Sequence, residues 1–307
     1  MQRVARPCIG VEAVQCQEGS SDNPGSHQGH GAQRRIGHAR TMSPTSIAFN
    51  HHRNPLDDNK LKRLNMRPQR LEAWSGLALV CGTGGIGGAM ATELQRTCPS
   101  LTVLTAGRGD QHAHDLQLDL ESDNDLDRLS DELSSRNQPL RLVINCTGRL
   151  HGPNLHPEKR LKQLERRQLI EQFSINSIAP VLLARAVEPL LRRDQPFHFA
   201  SLSARVGSIG DNRSGGWYAY RAAKAAQNQL LRCLSIEWAR RWPKATVTLL
   251  HPGTTDTELS KPFQSFVPAE QLFSPQRAAE QLVAVLLEQS PEQSGAFLAW
   301  DGQSIDW

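Results

Sequence analysis

The hydrophobic pattern of the chain changes near residue 70. Before that point, Gly, Ser, Asn, Gln, His and Arg are scattered, and no periodic apolar stripe runs through residues 1–70. From residue 71 onward, short apolar runs alternate with stretches in which apolar side chains recur every three or four residues. The first pattern is typical of strands buried on both faces, and the second of amphipathic helices. We therefore expect an ordered domain over 71–307 and a disordered extension over 1–70.

The order of these elements indicates an α/β fold. The predicted strands cover 77–81, 101–105, 114–118, 141–145, 197–201, 245–250 and 296–300. The predicted helices cover 86–96, 124–136, 158–173, 177–193, 220–241 and 275–288. Buried strands that alternate with helices form a parallel sheet covered on both faces, with right-handed crossovers. The sequence therefore predicts a doubly wound parallel sheet of the Rossmann type in a single domain.

Composition and charge exclude several classes of protein. The longest clean apolar run covers only residues 282–287, whereas a membrane-spanning helix needs about 20 apolar residues. Residues 1–70 carry 11 Lys and Arg against 5 Asp and Glu, while residues 71–307 carry 24 against 26. The domain therefore lacks the basic excess that nucleic-acid binding needs. We expect neither a membrane nor a nucleic acid as its partner.

The basic extension at 1–70 has three explanations that the sequence leaves open. It is Arg-rich and poor in acids, as targeting peptides are, but it lacks the apolar stretch of a secretory signal. It also fits a basic tail that contacts nucleic acid or a membrane. The third explanation is that translation normally starts at Met42 or Met66. We favour this third explanation or plain disorder.

The cysteines and histidines form neither a disulfide framework nor a metal site. The six cysteines contain no CxxC pair, and Cys81 and Cys146 lie in apolar runs typical of buried strands. The histidines of the extension lack cysteine partners and the HxxxH spacing of helical metal ligands. We therefore expect a cytoplasmic protein without disulfides and without a metal ion.

A glycine-rich loop follows the first predicted strand and opens the first predicted helix. Its sequence, Gly82-Thr83-Gly84-Gly85-Ile86-Gly87, fits the pattern G-x-G-x-x-G. Gly82 permits the tight turn, Gly84 lets the backbone approach a pyrophosphate, and Gly87 lets the helix pack closely on the strand. Backbone N–H groups at the helix start attract phosphate. The position between a strand and a helix favours dinucleotide binding over a merely structural turn.

The end of the second strand indicates which cofactor the loop serves. NAD-binding sites place Asp or Glu there to accept a hydrogen bond from the ribose 2′-hydroxyl. This chain has Arg108 instead, and a guanidinium suits the 2′-phosphate of NADP. The alternative is an ordinary surface arginine, and the nearby Asp110 keeps NAD open. The sequence favours NADP.

Tyr220 and Lys224 are the candidate catalytic pair. They are four residues apart in a predicted helix, so they lie on one face, one turn apart. A nearby ammonium lowers the pKa of a phenol, which suits proton transfer near neutral pH during the reduction of a carbonyl by hydride. Tyr218 has Ala222 at the equivalent position and lacks the cationic partner. By itself, the spacing is also compatible with a surface tyrosine.

Together, these motifs resemble the short-chain dehydrogenase/reductase family over about residues 75–307. The matching residues follow one another in the family's order. They are the glycine loop, Asn145 and Gly148 in a degenerate Asn-Asn-Ala-Gly motif, Asn176, Ser203, Tyr220, Lys224 and the turn Pro252-Gly253-Thr254. More narrowly, segments 203–209 and 211–212 and the ending Trp300-Asp301-Gly302-Gln303 are similar to the C-factor-like branch.

The resemblance implies a role for each matching residue. Tyr220 would exchange a proton with the substrate oxygen, Lys224 would hold the nicotinamide ribose, and Ser203 would bind the substrate oxygen. Asn176 would hold a water that links Lys224 to solvent. The residues expected to contact the cofactor, besides Tyr220 and Lys224, are Gly82, Thr83, Gly84, Gly85, Ile86, Gly87, Arg108, Asp119, Asn145, Thr147, Gly148, Pro252, Gly253 and Thr254. Asp119 is expected near the adenine, and its alternative is a charge at a helix N-terminus.

Two features depart from the family pattern. Only two residues separate Gly82 from Gly85, one fewer than is usual. The usual serine position falls on Ala204, so Ser203 is the adjacent hydroxyl, while Ser201 lies within the predicted strand. We choose Ser203 as the serine of the site.

The expected function is hydride transfer between NADP(H) and a small carbonyl compound or secondary alcohol. The alternative is a non-catalytic NADP-binding sensor or signalling protein on the same fold, which would not need the Tyr–Lys pair. Specificity is expected from segments 211–217 and 260–268, with apolar walls from Trp217 and from Phe263 or Phe266. By resemblance, we expect a homodimer or homotetramer formed through the helices at 177–193 and 220–241.

Overall fold

The computed structural model describes residues 74–109 and 114–307. The extension predicted over 1–70 and the residue Asp110 lie outside the described residues. The strands of the described residues are β1 (Gly76–Cys81), β2 (Leu101–Gly107), β3 (Leu116–Gln117), β4 (Leu140–Asn145), β5 (Phe197–Leu202), β6 (Ala245–His251), β7 (Thr254–Thr255), β8 (Leu272–Phe273) and β9 (Ala296–Ala299). The α-helices are α1 (Ile86–Thr97), α2 (Asp123–Ser134), α3 (Arg166–Phe173), α4 (Ala179–Val187), α5 (Tyr218–Arg241) and α6 (Pro275–Glu288).

Seven of these strands form one parallel sheet, in the order β3-β2-β1-β4-β5-β6-β9. This order confirms the predicted doubly wound parallel sheet. The strand order reverses between β1 and β4, and such a reversal opens a crevice at the carboxyl ends of the strands. β7 and β8 form a separate parallel pair after the sixth strand.

Apolar side chains bury both faces of the sheet. On one face, Leu77 and Leu79 of β1 belong to a core that includes residues of α2, α4 and α5, among them the fully buried Trp238. On the other face, Ala78 and Val80 of the same strand belong to a core that includes residues of α1 and α6. Alternate residues of a strand point to opposite faces, so a continuous apolar run contributes side chains to both cores.

The long helix predicted over 158–173 is wrong in its first half. A 3₁₀ turn covers Leu161–Gln163, and the α-helix begins only at Arg166. The Gln163 side chain accepts hydrogen bonds from the backbone N–H groups of Lys159, at 2.9 Å, and Arg160, at 3.0 Å. Side-chain bonds of this kind compete with the helical pattern, and the spacing of apolar residues does not reveal them.

The helix predicted over 177–193 is interrupted at both ends. A π-helical turn covers Ser174–Ile178, α4 follows, and a 3₁₀ turn covers Glu188–Leu190. Pro180 has no N–H, so it cannot donate the α-helical hydrogen bond to the carbonyl of Asn176. A π-helical turn is often found at functional sites, and this one contains Asn176.

Candidate active site

The carboxyl ends of β1, β4, β5 and β6 lie along one edge of the sheet, next to the crevice. The glycine loop follows β1, Asn145 ends β4, Ser203 follows β5 and Pro252 follows β6. The fold thus brings segments far apart in sequence to the place where doubly wound sheets bind ligands.

The glycine loop turns sharply between β1 and α1. Gly82 and Gly85 have φ values of +87° and +56°, in the left-handed region that favours glycine. A Cβ atom at Gly87 would overlap the carbonyl oxygen of Gly82. Thr83 and Ile86 are half-buried, while Gly84 is exposed. No side chain caps α1, and its first turn holds no acidic residue, so its N–H groups and positive dipole end are available to an anion.

Asn145 braces the turn that follows β4. Its buried Nδ2 donates to the Ser201 hydroxyl at 2.9 Å. Its Oδ1 accepts from the Thr147 hydroxyl at 2.6 Å and from the Thr147 backbone N–H at 3.2 Å. A Cβ at Gly82 would lie 3.1 Å from the Thr147 backbone nitrogen. The glycine loop and the turn after β4 are therefore in direct contact.

Asn176 is fully buried beside Lys224 and holds a neighbouring backbone segment. Its Oδ1 accepts from the Arg149 N–H at 3.0 Å, and its Nδ2 donates to the Arg149 carbonyl at 2.8 Å and to Gln172 Oε1 at 2.6 Å. A Cβ at Gly148 would lie 3.2 Å from Asn176 Oδ1 and 3.8 Å from Lys224 Nζ. The side chains of Asn176 and Lys224 thus both lie next to Gly148.

Two acidic side chains lie beside Arg108 at the end of β2. Its Nη1 is 3.5 Å from Glu121 Oε2 and 3.9 Å from Asp119 Oδ2. The structure therefore pairs two residues predicted separately for the adenine end of the cofactor. His114 also lies here, beside Gly107. Its Nδ1 would be 3.5 Å from a Cβ at Gly107.

Tyr220 and Lys224 lie one turn apart at the start of α5, as predicted. Lys224 Nζ is 5.9 Å from the centre of the Tyr220 ring, and both side chains are buried. Burial raises the pKa of the Tyr220 phenol and lowers the pKa of Lys224 to about 7. The direction for the phenol is opposite to the one expected from the sequence, because burial disfavours the charged phenolate. Within residues 74–109 and 114–307, the Tyr220 hydroxyl makes no hydrogen bond.

Lys224 is held by groups that the motif analysis did not single out. Its Nζ donates to the carbonyl of Leu202 at 3.0 Å and to Gln227 Oε1 at 2.9 Å. Gln227 falls on the buried face of α5, together with Ala223 and Leu231. A polar residue on the apolar face of a predicted helix could have indicated this contact from the sequence, since a buried amide needs hydrogen-bond partners.

Ser203 is directed at the helix rather than at Tyr220. Its hydroxyl donates to Asn228 Oδ1 at 2.6 Å, and both side chains are buried. The Ser201 hydroxyl accepts from Asn145 and from Gln227. Neither serine is hydrogen-bonded to the phenol, so the choice of Ser203 stays a prediction.

The turn after β6 reaches back to the glycine loop. Gly253 has a φ of +76°, and a Cβ there would lie 2.7 Å from the ring of Phe273. Pro252 precedes it, and Thr254 begins β7. Thr257, three residues after Thr254, contacts the glycine loop, because a Cβ at Gly85 would lie 2.7 Å from Thr257 Cγ2. The segment that follows β6, which begins with the turn Pro252-Gly253-Thr254, therefore lies against the glycine loop.

An aromatic wall extends from Tyr220. The ring of Trp217 lies 6.4 Å from that of Tyr220 and 4.8 Å from that of Phe263, centre to centre. The His151 ring is 6.2 Å from Phe263. These contacts bring together the two segments predicted to govern specificity. The side chain of Phe266 lies outside the described part of the structure.

Glu158 is a further residue that sequence reasoning missed. Its backbone carbonyl accepts from the Trp217 N–H, and its buried Oε2 accepts from the Ala219 N–H at 3.3 Å. A carboxylate at this place complements the positive end of the α5 dipole. Glu158 therefore fixes the start of the helix that carries Tyr220.

No helix in residues 74–109 and 114–307 is both long and apolar enough to span a bilayer. Those residues also contain no group of three or more His, Cys, Asp or Glu side chains placed to hold a metal ion.

The doubly wound sheet, the glycine loop and the Tyr–Lys pair are together typical of a nucleotide-binding oxidoreductase. Residues 77–267 match the model of the short chain dehydrogenase family, and the chain belongs to this family. It is therefore an NAD(P)-dependent enzyme that acts on carbonyl or alcohol groups of small molecules.

Comparisons with known proteins agree with this assignment. The 1-hydroxy-2-glutathionyl-2-methyl-3-butene dehydrogenase of Rhodococcus sp. (strain AD45) is 31% identical over 62% of this chain and 78% of its own length. C-signal of Myxococcus xanthus is 33% identical over 44% of this chain and 76% of its own length, in line with the predicted C-factor-like similarity.

Solved structures share the fold. Carbonyl reductase Sniffer of D. melanogaster has a TM-score of 0.66 at 22% identity, over 76% of this chain and 100% of its own. The NADPH-bound carbonyl reductase from chicken fatty liver has a TM-score of 0.65 at 22% identity, over 76% of this chain and 99% of its own.

Proposed function

We propose that the protein transfers hydride between NADP(H) and a small carbonyl compound or secondary alcohol. The observation that carries this proposal is the buried pair Tyr220 and Lys224 at the edge of the sheet that also holds the glycine loop. The phenol hydroxyl has no protein partner among the described residues, so it is available to a substrate oxygen. Relatives and structural neighbours named as a dehydrogenase and as carbonyl reductases support the same reaction class.

The residues at the adenine end fit NADP. The uncapped start of α1 suits the pyrophosphate, and the Gly87 contact shows a loop packed too closely for any side chain. Arg108 would bind the 2′-phosphate, which would replace Asp119 and Glu121 as its anionic partners. Structural neighbours that contain NADPH or NADP favour this cofactor over NAD.

The residues at the other end would hold the nicotinamide half. Lys224 would donate to the ribose, while Asn145, Thr147 and Gly148 would border it from β4. The turn Pro252–Thr254 would lie along the nicotinamide ring. The bound nicotinamide supplies or accepts the hydride.

Tyr220 would move the proton. Because burial raises the pKa of its phenol, the group holds its proton at neutral pH and can give it to a carbonyl oxygen as hydride reaches the carbon. In the reverse direction, the phenolate would need the Lys224 ammonium for stabilisation.

Ser203 and Asn176 would complete the site. Ser203 would bind the substrate oxygen only after exchanging its bond to Asn228 for one to the substrate. The Asn176 carbonyl lacks an α-helical donor at Pro180, so it suits a water that links Lys224 to solvent.

The substrate would carry a flat apolar group next to its carbonyl. The wall formed by Trp217 and Phe263 stands beside Tyr220 and presents aromatic faces. Flat apolar groups pack well against such faces.

A second candidate function is a non-catalytic NADP-binding sensor or signalling protein. The observation that favours it is the Ser203 hydroxyl, which is bound to Asn228 instead of facing the phenol. The similarity to a protein named C-signal points the same way. Such a protein would bind NADPH without turning over a carbonyl compound.

The test uses the full chain with NADPH, NADH and a panel of aromatic and aliphatic aldehydes, ketones and diones. Fluorescence titration measures cofactor binding, and the absorbance of NADPH measures turnover. The proposed function predicts tighter binding of NADPH than NADH and turnover of at least one carbonyl compound, with aromatic members preferred. Binding without turnover would favour the sensor, and no binding of either cofactor would contradict both functions.

Exposed apolar side chains on α5, Leu230 and Ile236, and the exposed Ile178 before α4 support a homodimer or homotetramer through these helices. The cytoplasmic location stays a prediction from the sequence.

A further inference from the structure

A completely buried glutamine contacts Lys224 on its own helix. Gln227 is 0% exposed, and its Oε1 accepts from Lys224 Nζ at 2.9 Å. Its Nε2 donates to the Ser201 hydroxyl at 2.7 Å and to the Leu202 carbonyl at 3.2 Å. Both polar ends of the side chain are therefore fixed by the protein.

This glutamine links Lys224 to the end of β4. The Ser201 hydroxyl that it contacts also accepts from Asn145 Nδ2 at 2.9 Å. Asn145 in turn holds the Thr147 hydroxyl at 2.6 Å. The position of the Lys224 ammonium is thus tied to the turn that borders the proposed nicotinamide half of the site.

We propose that Gln227 is the residue that positions Lys224. An ammonium group has three protons to donate. Gln227 Oε1 and the Leu202 carbonyl take two of them and leave the third for the nicotinamide ribose. This inference rests on the proposed function, because it assigns Lys224 to the cofactor.

A neutral acceptor suits this task better than a carboxylate. The groups that face the ammonium are the Leu202 carbonyl of β5, Gly148 in the turn after β4, and Gln227 and the Tyr220 phenol on α5. Tyr220 is the only titratable one of these groups. Without a carboxylate, Lys224 is oriented but not neutralised by an ion pair, so its charge remains available to the cofactor and the phenol.

Two substitutions test this role with opposite expected effects. Gln227→Leu keeps an apolar side chain of similar size and removes the acceptor, so the ammonium becomes harder to maintain in the buried site. Gln227→Glu places a carboxylate at the same distance, so the ammonium becomes easier to maintain. Gln229→Leu is the matched control, because Gln229 is exposed on the same helix and contacts Cys233 instead.

The measurement is the dissociation constant of NADPH against pH from 6 to 10, by fluorescence titration of the full-length variants. Where a carbonyl substrate is turned over, kcat/KM is followed over the same range. Binding that needs the ammonium weakens as pH rises through the pKa of Lys224. We expect Gln227→Leu to move this loss down by about one pH unit, with about tenfold weaker binding at pH 8. We expect Gln227→Glu to move it up and Gln229→Leu to leave it in place.

The outcomes separate this inference from the proposed function. Opposite shifts for the two Gln227 variants support the positioning role, since a merely structural role would move both in one direction. If Gln227→Leu does not fold, an upward shift in Gln227→Glu alone still supports it. Wild-type binding of NADPH with an unmoved pH dependence in the folded Gln227 variants overturns this inference alone. A wild type that does not bind NADPH overturns the proposed function as well.

Discussion

At the residue scale, the shape of the proposed phosphate site depends on glycines that have no side chain. Gly87 packs so closely on the Gly82 carbonyl that the helix and strand leave no room for a Cβ. The sequence pattern predicted this packing, because the spacing of glycines after a strand has a known geometric meaning. It did not predict that Ser203 would turn to Asn228 or that Gln227 would hold Lys224. Ser203 and Asn228 are distant in sequence, so no local spacing encodes their contact. Gln227 lies three residues after Lys224 on α5, but this spacing alone does not show that the two buried side chains bond to each other.

Gly87→Ala should weaken NADPH binding at least tenfold and destabilise the fold. The added methyl group would force the start of α1 away from β1, and overpacking of this kind costs about 1–3 kcal/mol. Fluorescence titration and urea unfolding measure the two effects. Gly152→Ala is the control, because a Cβ there meets only Leu155 Cβ at 3.9 Å. Equal binding by the two variants would show that the close packing at Gly87 does not shape the phosphate site.

At the element scale, the start of α5 is held by contacts from outside the helix. Gly215, Gly216 and Trp217 have consecutive φ values of +61°, +64° and +51°, and Trp217 pays a conformational cost for its left-handed backbone. The backbone carbonyl of Glu158 accepts a hydrogen bond from the Trp217 N–H, and its carboxylate accepts one from the Ala219 N–H. Both contacts stabilise the start of α5. The helix that carries Tyr220 therefore begins where Glu158 fixes it.

Glu158→Ala should lower the free energy of unfolding by about 1–2 kcal/mol, the usual effect of losing a helix cap. It should also lower kcat more than it weakens NADPH binding, because the displaced helix start carries the phenol. Urea unfolding and steady-state kinetics check both effects. Glu165→Ala is the control, since Glu165 is exposed and makes no side-chain cap to α3. An unchanged kcat in Glu158→Ala would contradict the positioning of Tyr220 by Glu158.

The predicted elements show which parts of the fold the sequence encodes locally. Helix α6 matches its predicted range of 275–288 in full, because the Ser274 cap, Pro275 and an apolar stripe all agree. The region at 158–173 does not, because Gln163 bonds to the backbone and Glu158 is engaged with α5. The pattern of apolar residues therefore predicts a helix correctly where caps and stripe agree. It fails where a side chain bonds to the nearby backbone or where a distant helix engages the segment.

At the scale of the whole molecule, His198 is buried and His251 is partly buried, and the surroundings of both disfavour the charged imidazole. Burial lowers the pKa of His198, on β5, to about 3 and that of His251, at the end of β6, to about 4. The unfolded chain binds protons at these histidines near its ordinary pKa of 6.5, whereas the folded chain does not. Stability therefore falls as pH decreases below about 6.5 and continues to fall toward the folded pKa values.

His198→Gln should reduce this acid sensitivity. Between pH 6.5 and 5.5, the wild type should lose about 1 kcal/mol of unfolding free energy through His198 alone, and the variant should not. The glutamine amide can replace the hydrogen bond of His198 Nε2 with the Thr248 hydroxyl, which is 2.9 Å long. Urea unfolding at the two pH values measures the difference, with the exposed His156→Gln as control. Identical pH dependence in wild type and His198→Gln would contradict the buried neutral histidine.

Tyr220 is proposed to donate the proton in an NADPH-dependent reduction. The chain contains only two tyrosines, and the other, Tyr218, is exposed on the same helix, so Tyr218→Phe is a matched control for Tyr220→Phe. The decisive measurement is kcat for a reducible carbonyl compound in both variants, with NADPH binding measured in parallel. We predict that Tyr220→Phe binds NADPH like the wild type and loses about 10²–10⁴-fold in kcat, while Tyr218→Phe keeps its activity. Full activity in Tyr220→Phe would contradict the claim.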